Sequence, residues 1–164
     1  MINNLILIGM PAVGKSTLGV ILAKLLGFSF IDSDLVIQEK EGRLLKDIIH
    51  AEGVDGFIEI ENTINASLSP SGAIISTGGS AVYGTEAMKH FKEIGTVLYL
   101  KVSYDVLSKR LKDVKNRGVV LRENQTIQDI YEERSVLYER YADLIVDVSE
   151  CSIEESVEKI MKLL

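Results

Sequence analysis

Residues 9–17, Gly-Met-Pro-Ala-Val-Gly-Lys-Ser-Thr, have the types and spacing that chemistry on phosphate groups requires. They fit the pattern G-x-x-x-x-G-K-[ST] at every fixed position. Gly9 and Gly14 allow backbone angles that turn successive amide N–H groups inward, so a polyphosphate lies among hydrogen-bond donors. Lys15 adds a cation for the β- and γ-phosphates, and the Ser16 hydroxyl is placed to bind Mg²⁺. The other candidate nucleotide contacts in this loop are Ala12, Val13 and Thr17.

The segments on either side of the loop are those that a phosphate-binding loop needs. Residues 5–8 form an uninterrupted apolar run, which is typical of a strand buried on both faces. Apolar residues then recur at helical spacing from Leu18 to Leu25, which predicts a helix whose positive N-terminal end faces the phosphates. Strand, loop and helix in this order favour phosphate binding over a chance glycine turn.

Strand and helix patterns alternate along the chain, which predicts an α/β fold with a mostly parallel sheet. Further strands are predicted over residues 28–32, 73–75, 96–100 and 145–146. Helices are predicted over residues 35–41, 44–49, 56–67, 85–91 and 126–141, and after Ser103 and Ser152. Without repeats or linkers, residues 1–164 are interpreted as one domain, and the polar, aperiodic residues 113–124 as a mobile loop.

Composition and charge exclude several function classes. The net charge of −6 argues against nucleic acid as the main partner, because such proteins present excess positive charge. Cys151 is the only cysteine, so nothing demands an oxidising compartment. No apolar run approaches the length of a membrane span, and no basic segment precedes the first apolar run. We therefore expect a cytoplasmic monomer that contacts neither nucleic acid nor membrane.

Polar residues follow the predicted strands at the edge where ligands bind in parallel sheets. No aspartate ends the third or fourth strand, so Asp32, after the second strand, is the best second partner for Mg²⁺. Asp34 points the same way if the extended geometry continues, and one carboxylate on the metal with one on an acceptor hydroxyl suits phosphoryl transfer to an alcohol. Alternatively, Asp32 and Ser33 cap the following helix, and the two roles are compatible.

Other candidate residues lie farther along the chain. Backbone amides at Gly78 and Gly79 suit a polar ligand that approaches closely, although a plain turn explains them as well. Arg134 lies on an apolar helical stripe, so it either pairs with a structural carboxylate or faces an anionic ligand. Arg110 and Arg117 flank residues 113–124, from which an arginine can stabilise a transferring phosphoryl group; otherwise they are ordinary surface charges.

These features together resemble the shikimate kinase family over nearly the whole chain. The matching stretches are residues 9–17, Asp32-Ser33-Asp34, Gly53 through Gly56-Phe57 to Glu61, Ser76-Thr77-Gly78-Gly79, Arg134 with Leu137-Tyr138, and Ala142-Asp143. The loop alone occurs in many nucleotide-binding proteins, whereas its combination with Asp-Ser-Asp and Thr-Gly-Gly at these distances is much more specific.

The resemblance implies a three-layer α/β/α phosphate-loop kinase fold with a five-stranded parallel sheet of order 2-3-1-4-5. It implies ATP and Mg²⁺, a lid over the site, and phosphorylation of shikimate to shikimate 3-phosphate in aromatic amino-acid biosynthesis. The implied roles are Lys15 on phosphate, Ser16 and Asp32 on Mg²⁺, Asp34 and Arg134 on the acceptor, Arg110 near adenine, and Arg117 from the lid. The implied acceptor site also includes Gly78, Gly79 and the positions of Ser80 and Ile58.

Three positions depart from the family pattern. Ile58 lies at the position where the family has an arginine, and the resemblance implies that this arginine is one of the groups that bind the shikimate carboxylate. Ser80 replaces the third glycine of the family's Gly-Gly-Gly motif. The lid motif Arg-Pro-Leu-Leu is Arg-Gly-Val-Val at residues 117–120. Losing a hydrogen bond to a charged group weakens binding about tenfold to a hundredfold. The candidates for a substitute cation are Arg43, Lys46 and Lys89.

Three readings follow. The chain is a shikimate kinase, a relative with another hydroxyl acceptor, or a non-catalytic nucleotide-binding regulator. Asp32 and Asp34 favour an enzyme over a regulator, because a protein that only binds a nucleotide needs no second carboxylate. A GTPase is disfavoured, since no Asn-Lys-x-Asp motif occurs.

Overall fold

The protein is built on one parallel sheet of five strands. The computed structural model describes residues 2–112 and 119–164. The strands are β1 (Asn4–Ile8), β2 (Ser29–Asp32), β3 (Ala73–Ser76), β4 (Thr96–Lys101) and β5 (Leu144–Asp147). They lie side by side in the order β2-β3-β1-β4-β5, and all neighbours are parallel. The predicted α/β class and strand order are confirmed.

Helices connect the strands and cover the sheet. They are α1 (Lys15–Leu26), α2 (Ser33–Glu41), α3 (Leu45–Ala66), α4 (Thr85–Ile94), α5 (Tyr104–Lys112), α6 (Ile127–Tyr141) and α7 (Ile153–Leu163), with a 3₁₀ turn at Ala81–Tyr83. Every residue of β1 is buried, as expected for the central strand of a parallel sheet with helices on both faces. Its carboxyl end therefore delivers the phosphate-loop segment to the middle of the sheet edge.

Local sequence signals set several helix boundaries. Asp32 accepts hydrogen bonds from the backbone N–H groups of Asp34 and Leu35, so the predicted cap of α2 is confirmed. Ser152 forms the predicted capping box with Glu155 at the start of α7. Thr126 caps α6 in the same way, with Asp129 as its partner. These caps fix where each helix leaves the sheet edge.

The largest difference from the sequence prediction concerns α3, while α2, α4 and β5 extend two or three residues beyond the predicted bounds. Separate helices were expected over residues 44–49 and 56–67, whereas α3 runs as a single element from Leu45 to Ala66. Gly53 interrupts it with non-helical backbone angles, φ 74° and ψ 177°. Glycine reaches this conformation without the steric cost that a Cβ imposes. The chain therefore keeps two helical arms, joined directly at Gly53 without a loop.

The buried apolar residues form two clusters. The larger one contains β1, β3, β4 and the inner faces of the helices against them. The smaller one lies between α2 and α3, with the segment that precedes α6. Its buried members are Ile37, Ile48, Phe57, Ile64 and Val120. This second cluster supports the part of the sheet edge that flanks the residues following β3.

No helix within residues 2–112 and 119–164 combines the length and apolar character needed to cross a membrane. Residues 113–118, which include Arg117 and half of the predicted lid, lie outside the described residues.

Asn4 ties three segments together at the end of the sheet opposite the phosphate-loop segment. Its side chain is fully buried, donates to the carbonyls of Pro70 and Ile94 at 2.9 Å each, and accepts from the N–H of Ala73 at 3.0 Å. We expect Asn4→Ala to lower the free energy of unfolding by about 2–4 kcal/mol, because three backbone groups lose a buried partner. Urea unfolding followed by circular dichroism measures this change.

The neighbouring asparagine is the matched control. Asn3 is exposed and also hydrogen-bonds through its side chain. Asn3→Ala should therefore cost less than about 1 kcal/mol, because water replaces the lost partners. Equal losses for the two variants would contradict the role assigned to Asn4.

Candidate active site

The loop between β1 and α1 has the backbone that phosphate binding requires. Gly9 and Gly14 have φ values of 148° and 102°, and Ala12 also has a positive φ of 64°. A Cβ on Gly9 would lie 2.7 Å from the carbonyl oxygen of Leu100 in β4, so only glycine fits against this strand. The loop then leads into α1, which begins at Lys15. Its amide groups and the positive end of α1 thus converge on one place.

Lys15 is held over this loop by backbone carbonyls. Its Nζ donates to the carbonyls of Gly9 at 2.7 Å and Met10 at 2.8 Å, and the side chain is 7% exposed. Burial lowers the pKa of Lys15 to about 8, while the nearby Asp34 carboxyl opposes that shift. A buried cation at the mouth of a donor-lined loop is a site for phosphate oxygens.

The two predicted magnesium ligands lie next to each other. The Ser16 hydroxyl donates to Asp32 Oδ2 at 3.1 Å and lies 3.2 Å from the hydroxyl of Ser76. Asp32 uses its other oxygen, Oδ1, to cap α2, so the capping and site roles coexist. Hard oxygen ligands beside a phosphate loop suit Mg²⁺, which takes one or two protein oxygens and completes its shell with phosphate and water. Ser16 and Asp32 therefore fit this ion.

Ser76 was not predicted as a metal-site residue, because sequence reasoning searched this strand end for an aspartate. It is the last residue of β3 and is paired in register with Asp32 of β2. That register brings its hydroxyl to Ser16. The useful signal was its position at the carboxyl end of a central strand.

Asp34 lies at the junction of two cavities. The phosphate cavity is lined by Pro11, Ala12, Gly14, Lys15, Ser16, Thr17, Asp34, Thr77, Gly78 and Gly79. The acceptor cavity is lined by Pro11, Asp34, Leu45, Phe57, Gly78, Gly79, Ser80, Val119, Val120 and Arg134. Because Asp34 lines both, its carboxyl lies where a group held in one cavity meets a group held in the other. Burial and the neighbouring Asp32 raise the pKa of Asp34 to about 6, while Lys15 opposes the shift.

Glu61 is a buried acid that the sequence identified only as part of a family motif. Its side chain is 1% exposed, and its Oε1 accepts a 2.6 Å hydrogen bond from the hydroxyl of Ser80. Its Oε2 has no hydrogen-bond partner within the described residues. Burial raises the pKa of Glu61 to about 8; the Ser80 hydrogen bond opposes this shift and Asp34 adds to it. A Cβ on Gly78 would lie 2.8 Å from both Asp34 Oδ1 and Glu61 Oε2, so this turn requires glycine.

Arg134 is the buried cation of the acceptor cavity. It is 1% exposed, and within residues 2–112 and 119–164 it forms no ion pair. Its Nη2 donates to the carbonyl of Val120 at 2.7 Å and its Nε to the hydroxyl of Tyr83 at 3.3 Å. Of the two sequence-based alternatives, this geometry favours an arginine that faces an anionic ligand, because a buried guanidinium without a carboxylate is costly.

A third cavity adjoins the phosphate cavity on its other side. It is lined by Ala12, Val13, Gly14, Thr17, Leu18, Arg110, Val148, Cys151, Ile153 and Ser156. Arg110 lies here, with its Nη1 3.4 Å from the carbonyl oxygen of Val13. The sequence did not lead to the four residues after β5 that line this cavity, Val148, Cys151, Ile153 and Ser156. The rule that ligands bind beyond the strand ends applies to β5 as well. The three cavities form a row in which the phosphate cavity is central.

The structure does not bring every predicted residue to these cavities. Ile58 is half-buried on α3 and does not line the acceptor cavity, which its neighbour Phe57 does. Arg43 is held by Glu41 and Glu52 in ion pairs of 2.7 Å and 3.1 Å. None of the suggested substitute cations, Arg43, Lys46 and Lys89, lines the cavity. Arg117 lies outside the described residues.

Glu61 should impose a pH dependence on stability. Its pKa is raised from 4.5 to about 8 in the folded protein, so between these values the folded state binds more protons than the unfolded chain. Stability therefore falls as pH rises through this window, by up to about 1.4 kcal/mol per pH unit. We expect Glu61→Gln to reduce the dependence of the free energy of unfolding on pH between about pH 6 and 8. Asp34 contributes little in this range, because its pKa in the folded protein is about 6. Urea unfolding at several pH values measures the slope.

The matched control is Glu59→Gln, an exposed position on the same helix. It should keep the slope of the unsubstituted protein. A slope that persists in Glu61→Gln would show that another group carries the pH dependence.

Comparison with known proteins agrees with this geometry. The sequence model described as "SKI: Shikimate kinase" matches residues 11–164. A shikimate kinase of Thermodesulfovibrio yellowstonii is 36% identical over 163 residues, covering 98% of this chain and 94% of the relative. One of Bacillus cytotoxicus is 37% identical over 155 residues, covering 94% of this chain and 93% of the relative.

Solved structures give the same result. Shikimate kinase from Acinetobacter baumannii, in complex with shikimate, has a TM-score of 0.89 and 30% identity, covering 99% of this chain and 93% of that one. Shikimate kinase from Aquifex aeolicus has a TM-score of 0.80 and 31% identity, covering 97% of this chain and 94% of that one. The chain therefore belongs to the shikimate kinase family.

Proposed function

We propose that this protein transfers the γ-phosphoryl group of ATP to a hydroxyl of shikimate. The observation that carries the proposal is the position of Asp34, whose side chain lines both the phosphate cavity and the acceptor cavity. The acceptor cavity also contains the buried Arg134, a partner for the carboxylate of a hydroxy acid. The shikimate kinases to which this chain is similar support shikimate as the acceptor.

The nucleotide half of the site is built for a triphosphate. The loop amides surround the phosphates, and Lys15 moves from the carbonyls of Gly9 and Met10 to phosphate oxygens. Arg110 and the residues after β5 contact the base in the third cavity. Ser16 and Asp32 would hold Mg²⁺, which neutralises charge on the β- and γ-phosphates when bound.

The acceptor half places the hydroxyl. Arg134 holds the acid group of the substrate, and the amides of Gly78 and Gly79 approach it closely because no side chain intervenes. Asp34 then accepts the proton of the attacking hydroxyl as general base. Its raised pKa, about 6, leaves the carboxyl ionised at neutral pH while making it a stronger base than an exposed aspartate.

We further propose that residues 1–164 act as one domain with a mobile lid at residues 113–124. Arg117 in this lid stabilises charge on the transferring phosphoryl group.

The experiment that tests the proposal follows ADP release from ATP and Mg²⁺ in the presence of shikimate. We expect saturable turnover with shikimate and a phosphorylated product by mass spectrometry. Quinate and gluconate are parallel acceptors, because Ile58 lies at the family's arginine position and leaves room for a changed acceptor. Turnover with either of them but not with shikimate would establish the alternative of a different hydroxyl acceptor, and ATP binding without any turnover would establish a regulator.

Substitution of Asp34 separates chemistry from nucleotide binding. We expect Asp34→Asn to reduce kcat about a hundredfold to ten-thousandfold, because the amide cannot accept the hydroxyl proton. Its ATP affinity by isothermal titration should stay within about threefold. Lys15→Ala should lose both turnover and tight ATP binding, and Asp47→Asn, an exposed position on α3, should change neither. Loss of ATP binding in Asp34→Asn would count against its assignment to the acceptor.

A further inference from the structure

Ser80 and Glu61 form a buried pair that a glycine at position 80 could not form. Ser80 is 3% exposed and Glu61 is 1% exposed, and the hydroxyl donates to Oε1 at 2.6 Å. Within the described residues this is the only hydrogen bond made by the Glu61 carboxyl, because Oε2 has no partner. The third glycine of the family motif has no side chain, so it would leave this buried acid without any donor.

Ile58 is the second departure from the family pattern, and it lies on the same helix as Glu61. On α3, residues 58 and 61 are three positions apart, so their side chains are neighbours on one face of the helix. An arginine at position 58 would bring a guanidinium next to the Glu61 carboxyl. With isoleucine there, no donor comes from that side, and the donor comes from Ser80 across the turn after β3.

We propose that Ser80 is a positioning residue for the acceptor site, and that Ser80 and Ile58 are coupled substitutions. The serine hydroxyl supplies Glu61 with the donor that an arginine at position 58 would otherwise supply. The substitutions at positions 58 and 80 then act together, because both change which group donates a hydrogen bond to the buried Glu61 carboxyl. As a statement about catalysis, this inference rests on the proposed function.

The position of Glu61 explains why such a donor matters. Its Oε2 and Asp34 Oδ1 lie on the same side of Gly78, each 2.8 Å from where a Cβ would be. The charged groups around Glu61 are Asp34 of α2, Arg134 of α6 and Lys15 of α1. A Glu61 carboxyl that lost Ser80 would turn toward one of these groups. The acceptor would then meet a displaced Asp34 or an Arg134 already bound to Glu61.

The test is a double-substitution cycle of Ser80→Ala and Ile58→Arg with kinetic and unfolding readouts. Ser80→Ala should raise the KM for shikimate about tenfold, with the KM for ATP within about twofold and kcat within about threefold. Ile58→Arg should lower the KM for shikimate at least about fivefold more in the Ser80→Ala protein than in the unsubstituted one. In unfolding, Ile58→Arg should raise the urea midpoint only when Ser80 is absent, because only then does Glu61 lack a donor.

Two controls sharpen the cycle. Ser80→Thr keeps the hydroxyl and should recover part of the shikimate KM and of the urea midpoint lost in Ser80→Ala, and Ser69→Ala removes an exposed serine and should change nothing. Additive effects of the two substitutions on both KM and the urea midpoint would overturn the inference. So would a rise in the KM for ATP as large as that for shikimate.

Failure of the proposed function gives a different result. If the unsubstituted protein does not phosphorylate shikimate, the proposed function is wrong, and the urea midpoints alone decide whether positions 58 and 80 are coupled. Coupled midpoints would support the structural part of the inference, and additive midpoints would overturn it.

Discussion

The close approach of backbone to side chains at Gly78 and Gly79 is the constraint on which this site depends. The Cα of Gly78 faces the carboxyls of Asp34 and Glu61, and the Cα of Gly79 faces Pro11 and Arg134. A Cβ at either residue would lie within about 3 Å of these neighbours. Since no side chain intervenes, groups from α2, α3 and α6 converge beside the phosphate loop.

The convergence produces an unusual balance of charge. Two cations, Lys15 and Arg134, and the acid Glu61 lie buried around one turn, and the half-buried Asp34 lies beside them. Burial shifts the pKa of Lys15 down and those of both acids up, and the opposite charges partly offset these shifts. Such groups are costly to hold in a folded protein, but they are already desolvated and oriented before a ligand arrives. Preorganisation of the site thus lowers the stability of the folded protein.

The two halves of the site differ in what builds them. The nucleotide half is made chiefly of backbone: glycine conformations, amide groups and the start of α1, with Lys15 added. The acceptor half is made of side chains from separate helices, and each of its polar groups depends on a neighbour. Arg134 depends on Tyr83 and Val120, and Glu61 depends on Ser80. The departure at Ser80 therefore falls in the acceptor half, where one side chain can be exchanged for another, whereas Ile58 lies outside the acceptor cavity on the same helix as Glu61.

The sequence by itself determined the α/β class, the phosphate loop and the edge where ligands bind, because these follow from local patterns: apolar runs, glycine spacing and helix caps. Resemblance of the motifs to a family added the strand order, which the structure confirms. Only the tertiary structure decided the rest. It placed Ser76 beside Ser16, brought the residues after β5 to the cavity that contains Arg110, left Ile58 outside the acceptor cavity and joined Ser80 to Glu61. These contacts join residues distant in sequence or depend on how a helix is rotated, and no local pattern specifies either.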